Sequence, residues 1–155
     1  MTSIAIGKPL PNFTATSTQG NITPECLRGR YAVLYFYPKD NTPGCTTESQ
    51  DFRDCYTEFT EAGCQIIGIS RDTLKSHLGF AEKHDLPFPL IADTDETLCQ
   101  MFNVMKLKNM YGKQVRGVER STFLVDPQGL VVREWRGLKV TGHVDDVLRA
   151  VQDKA

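Results

Sequence analysis

The chain has no pair of cysteines two residues apart, no block of like charge and no long apolar stretch. Each absence removes a class of function. Its five cysteines stand at positions 26, 45, 55, 64 and 99. They are too few and too scattered for a disulfide scaffold, and their number is odd. With no Cys-x-x-Cys there is neither a dithiol to cycle nor zinc spacing. The three histidines, His77, His84 and His143, fall in or beside expected helices, with no His or Cys at ligand spacing. They are expected to be surface or capping residues, and neither a metal nor a cofactor is implied.

Lys plus Arg number 18 and Asp plus Glu 19, for a formal net charge of −1. No long-range field recruits nucleic acid or an anionic membrane. The nearest basic cluster, Lys106, Lys108, Lys113 and Arg116, reads as a solvated loop. The longest apolar run, Tyr31 to Tyr37, is far short of the roughly 20 residues a membrane-spanning helix needs. Residues 1–9 lack a charged segment followed by an apolar one, so no secretory leader is read there and a cytosolic protein is expected.

What remains is ordinary globular composition, 40% hydrophobic and 24% charged over 155 residues, most simply one domain over 1–155. Residues 31–37 form an apolar strand without polar alternation, the pattern of a strand covered on both faces. A helix is expected over 44–61, ending near Gly63, and a second strand over 64–70. Asp72 or Thr73 can cap a helix running to about His84. A short strand follows at Phe88 to Ile91, then a short helix from Asp93 to Phe102. Strands at 118–125 and 130–135 flank Asp126-Pro127-Gln128-Gly129, a hairpin signal. A last helix, 142–154, places Val144, Val147, Leu148 and Val151 on one face. This order predicts an α/β, thioredoxin-like fold with a mixed central sheet and helices on both faces. The strands at 31–37 and 64–70 should be parallel, joined by a right-handed crossover. The conformation of 103–117 does not follow from the pattern.

One thiol occupies a position with chemical meaning. Cys45 follows the first long strand through a proline-bracketed turn, Pro38 to Gly44, and falls in the first turn of the next helix. Unpaired N–H groups and the positive end of the helix dipole favour a thiolate there, and the thiolate is the nucleophile. The site lies at the sheet's carboxyl edge, where α/β folds place their chemistry. Cys45 is seven residues before Phe52 and shares its inward face.

Pro38-x-x-x-Thr42-x-x-Cys45 resembles the peroxiredoxin active-site signature. The runs Tyr35-Phe36-Tyr37-Pro38-Lys39, Thr42-Pro43-Gly44-Cys45-Thr46-x-Glu48 and Arg120-Ser121-Thr122-Phe123-Leu124 are similar to the bacterioferritin-comigratory, or peroxiredoxin Q, branch. The likeness covers nearly the whole chain. It implies a thiol peroxidase for hydrogen peroxide and organic hydroperoxides, with Cys45 attacking oxygen to form a sulfenic acid. On the same basis Arg120 stabilises the thiolate and the transition state. Thr42 orients the peroxide, and the N–H groups of Gly44 and Cys45 receive the leaving oxygen. Pro38 shields the sulfur, and Glu48 orders a polar network. Plainer roles exist: Thr42 as a turn residue, Pro38 as a strand terminator, Glu48 as a first-turn acid, Arg120 as an edge cation.

The resemblance also exposes a departure. Many members of the branch carry a second, resolving cysteine five residues after the first, where this chain has Gln50. Others carry it near the position of Ala81. Cys55 lies about 15 Å along the expected helix, against a Cα separation of at most about 7 Å for a disulfide. Cys64 and Cys26 belong toward the amino edge, and Cys99 reads as packing. The expectation is a one-cysteine mechanism, with thioredoxin or glutathione and glutaredoxin as reductant. The alternatives are a two-cysteine cycle through Cys99 or Cys55 after local unfolding, or a thioredoxin-like binding or holdase module. The branch resemblance also implies a monomer.

Overall fold

The computed structural model describes residues 3–154. Its centre is a seven-stranded sheet. In chain order the strands are β1 (Ala15–Ser17), β2 (Gly20–Ile22), β3 (Tyr31–Phe36), β4 (Cys64–Ser70), β5 (Leu90–Ala92), β8 (Ser121–Val125) and β9 (Val131–Arg136). Spatially they run β2-β1-β5-β4-β3-β8-β9. β3, β4 and β5 are parallel, and the outer pairings are antiparallel. The expected mixed sheet and thioredoxin-like architecture are present.

β3 shows why the sheet lacks polar alternation at its centre. Ala32, Leu34 and Phe36 enter one apolar cluster with Leu98, Cys99 and Phe102. Val33, Tyr35 and Tyr37 enter the opposite one with Phe52, Phe59, Phe80 and Val147. Both faces are covered, so alternate side chains meet two different cores. The second face carries α1 (Pro43–Asp54), α2 (Tyr56–Glu61), α3 (Leu74–Lys83) and α5 (His143–Lys154), and α4 (Thr97–Met101) covers the first. Thr73 caps α3, its hydroxyl accepting from Ser76 N at 3.1 Å. Asp93 caps α4, accepting from the N–H groups of Leu98 and Cys99.

The expected helix over 44–61 is instead two helices. The backbone leaves helical geometry at Cys55, with φ −100° and ψ 10°. The spacing of Phe52, Tyr56 and Phe59 is kept across the break, which is why the sequence reads as continuous. The span 103–117 is largely a two-stranded ribbon of β6 (Met105–Met110) and β7 (Lys113–Val118). The four basic residues read as loop therefore lie on strands. Tyr111 (φ 53°) and Gly112 (φ 78°) both turn left-handed, as a tight two-residue hairpin turn requires. Tyr-Gly is an unusual pair for this turn, and the strands are mostly exposed, so neither turn chemistry nor burial announced them. The strand expected from 118 begins at Ser121. Strands β1 and β2 at one end of the sheet, three residues each, are too short to leave a periodic signal.

Among the described residues no helix is long and apolar enough to cross a membrane.

Candidate active site

β3 and β4 deliver the chain to the carboxyl edge together, Tyr37 N bonding Ile69 O at 3.0 Å. Residues 38–42 then turn the chain into α1. Pro43 opens the helix, where a missing N–H costs nothing. Thr42 is the N-cap residue in an extended conformation, and the first intrahelical bond is Thr46 N to Thr42 O at 2.9 Å. The N–H groups of Gly44 and Cys45 therefore have no acceptor within the helix. Cys45 sits in this first turn and is only 1% exposed.

Arg120, on the short link between β7 and β8, reaches the sulfur. Its Nη2 donates to Cys45 Sγ at 3.4 Å and its Nη1 to Glu48 Oε1 at 2.6 Å. Glu48 lies one turn beyond Cys45 on the same helix face and is fully buried, and its Oε2 has no partner. Burial pushes the Glu48 carboxyl up to about 7, against the pull of Arg120. Burial also opposes the Arg120 charge, but Glu48 and Cys45 together hold the guanidinium above its ordinary value. Gly44 makes the approach possible: a Cβ there would stand 3.2 Å from Arg120 Nη2.

Cys45, Arg120, Glu48 and Gly44 thus converge. Thr42 stands at the head of the same turn, its hydroxyl donating to Lys39 O at 2.7 Å, which leaves its oxygen lone pairs available. Pro38, half-buried, ends the strand just upstream.

The two positions at which the branch resemblance implies a second thiol are filled otherwise. Gln50 Nε2 meets His84 Nδ1 at 3.3 Å, and Arg53 Nη1 donates to His84 O at 2.8 Å, fastening α1 to the end of α3. Ala81 lies on α3. Cys64 starts β4 opposite Tyr31, at the amino edge, and burial pushes its thiol up to about 12. Burial, and then Asp93, raise the Cys99 thiol strongly. Cys55 is half-buried at the break between α1 and α2, and burial raises its thiol too. Cys26 is exposed on a 3-10 turn, where its hydrogen bond to Thr23 lowers its thiol.

The histidines correct the expectation of surface positions. His77 and His143 are buried, and only the half-buried His84 caps a helix. His143 Nε2 lies 2.8 Å from Thr122 Oγ1. His77 belongs to a polar cluster that sequence reasoning missed. Its Nδ1 is 2.7 Å from Asp40 Oδ2, its Nε2 2.9 Å from Ile91 O. The signal was available, because His77 precedes the buried Phe80 by three residues on one face of α3. Asp40, Asp72 and His77 each offer one atom within 4.8 Å of the others, close enough for a metal site. Those atoms already hold Tyr37, Ser76, Ser70 and the Asp40 N–H, so they form a satisfied hydrogen-bond network.

Residues 6–134 match the AhpC/TSA family. Over 158 aligned residues the chain is 50% identical to Peroxiredoxin Bcp of Xanthomonas campestris pv. campestris, covering 100% of this chain and 99% of the relative. A structure of the X. campestris bacterioferritin comigratory protein, described for its alkyl peroxide reduction activity, superposes with a TM-score of 0.87. It is 50% identical and covers 92% of this chain and 91% of its own. A mutant of Xylella fastidiosa PrxQ gives a TM-score of 0.92 at 38% identity, covering 99% of both chains.

Proposed function

The chain belongs to the AhpC/TSA family, among the Bcp/PrxQ peroxiredoxins, which are thiol peroxidases, and from that premise we propose that Cys45 is its peroxidatic cysteine in a one-cysteine cycle. The Cys45 thiolate attacks the nearer oxygen of a hydroperoxide. The S–O bond forms as the O–O bond breaks, and the far oxygen leaves with a proton as water or an alcohol. Sulfur is oxidised to sulfenic acid and the peroxide is reduced. The observation that carries this reading is Arg120 bridging Cys45 Sγ and Glu48 Oε1. One planar cation, held by Glu48, lies against the nucleophile, where charge develops.

The remaining residues take roles around that contact. The free N–H groups of Gly44 and Cys45 stabilise the leaving oxygen. Thr42 accepts from the peroxide O–H, since its own hydrogen goes to Lys39 O. Pro38 limits water at the strand end, and Glu48 holds Arg120 in plane. Hydrogen peroxide and organic hydroperoxides are the substrate class; the X. campestris relative's activity on alkyl peroxide supports the second.

An external thiol then reduces the sulfenic acid, either thioredoxin or glutathione with glutaredoxin. Support comes from Gln50 and Ala81 at the two positions used for resolution in relatives, and from the burial of Cys64 and Cys99. The test is thiol-dependent peroxide consumption. The wild type is expected to be active and Cys45→Ser inactive, and equal activity in both would overturn the assignment. One observation favours a second reading: α1 already ends at Cys55, so unwinding α1 as a unit would free both thiols. In that case Cys55→Ser abolishes turnover.

A further inference from the structure

We propose that His77 is a positioning residue for the peroxide step, fixing through Asp40 the loop 38–42 that leads into the Cys45 helix; this rests on the peroxidatic role of Cys45. His77 hydrogen-bonds neither Cys45 nor Arg120. It is fully buried on α3, and both ring nitrogens are engaged. The Ile91 carbonyl can only accept, so Nε2 carries hydrogen. Nδ1 faces Asp40 Oδ2 at 2.7 Å, so the ring bridges the β5 backbone and the loop carboxylate.

Asp40 is the hub. Its Oδ1 accepts from Tyr37 Oη at 2.7 Å and its Oδ2 from Ser76 Oγ at 2.8 Å. Its backbone N–H donates to Asp72 Oδ2 at 2.9 Å, and Asp72 is itself held by Ser70 Oγ. The anchors come from the end of β3, the end of β4 and the loop after it, and the first turn of α3, with β5 behind them through Ile91 O. Apart from Thr42 O, which accepts the first helix bond from Thr46 N, the loop they restrain makes no backbone–backbone hydrogen bond among the described residues. It also contains Asn41 at φ 65°, a left-handed conformation that costs free energy for any residue with a Cβ. Asn41 is followed directly by Thr42. Releasing Asp40 lets Asn41 relax, and the relaxation moves Thr42 and the head of α1 relative to Arg120.

The test separates the two halves of the cycle by stopped flow on the full chain, with folding verified by near-UV circular dichroism. Sulfenic acid formation at Cys45 is measured with hydrogen peroxide, and its reduction with a small thiol. His77→Phe keeps the ring volume and removes both nitrogens. It is expected to slow the peroxide step about 10- to 100-fold, the cost of a loop displaced by around 1 Å. Thiol reduction should change less than about twofold, since it does not use the peroxide-orienting loop. His77→Gln, which retains a donor, should recover part of the rate. His77→Phe combined with Asp40→Asn should be no slower than His77→Phe alone, because the two act through one contact. If His77→Phe does not fold, Tyr37→Phe, which deletes only one oxygen bonded to Asp40, carries the same comparison. An unchanged peroxide step in the folded variant, equal slowing of both half-reactions, or multiplicative effects in the double variant would overturn the proposal. A wild type that forms no sulfenic acid at Cys45 would instead overturn the assigned reaction, and this role with it.

Discussion

Replacing Glu48 with glutamine should remove a pH dependence from the protein's stability. Burial raises the Glu48 carboxyl from 4.5 to about 7, despite Arg120 Nη1 at 2.6 Å. The native protein therefore binds this proton near pH 7, whereas the unfolded chain binds it only near pH 4.5. The stability that results is fully present below pH 4.5 and is lost as pH rises through about 7. The whole interval corresponds to about 3 kcal/mol, most of it falling between pH 5 and pH 8. His143 works in the opposite sense. Its burial lowers it from 6.5 to about 4, so its contribution is present above pH 6.5 and lost as pH falls through about 4. The wild-type profile alone mixes the two groups, whereas the difference between wild type and Glu48→Gln isolates one. Urea unfolding of both proteins at pH 8 and pH 5 provides the assay. On moving from pH 8 to pH 5 the wild type should gain about 2–3 kcal/mol relative to Glu48→Gln. A difference between the two proteins that stays constant with pH refutes the reasoning.

Arg120→Lys keeps the charge but loses the fork that touches Sγ and Oε1 together, and should lower kcat/KM for peroxide by about 100-fold in steady-state assays. Gln50→Cys restores a thiol five residues after Cys45 and breaks the contact with His84. Once the first turns of α1 unwind, one equivalent of peroxide should then produce an intramolecular disulfide, visible by non-reducing peptide mapping. Gly68→Ala puts a Cβ 2.7 Å from Leu90 Cδ2 and 2.8 Å from the Tyr35 ring in the centre of the sheet. It should destabilise the protein by about 1–3 kcal/mol, read as a lower Tm.

The central strands and covering helices were legible because their burial is written in their composition. A run such as Tyr31 to Tyr37 has only one physical home, a strand with a core on each side. Cys45 was legible because a proline turn between that strand and a helix leaves the thiol at a helix start. The contact with Arg120 was not legible from spacing, since 75 residues separate the two and only the family resemblance linked them. The hairpin of β6 and β7 escaped because exposed strands carry no burial pattern, and Tyr111-Gly112 replaces the usual turn pair. The His77 network escaped for the opposite reason. The place of His77 three residues before Phe80 marks an inward position, but its partners cannot be read from spacing. They come from β3, the following loop, β4 and β5, which meet only in the folded chain.

The most direct measurement is mass spectrometry of all five cysteines after one equivalent of peroxide, with a sulfenic-acid trap present and no reductant. A trapped sulfenic acid on Cys45, with Cys26, Cys55, Cys64 and Cys99 remaining as thiols, is the predicted result. A stoichiometric intramolecular disulfide from Cys45 to any of the other four would contradict it.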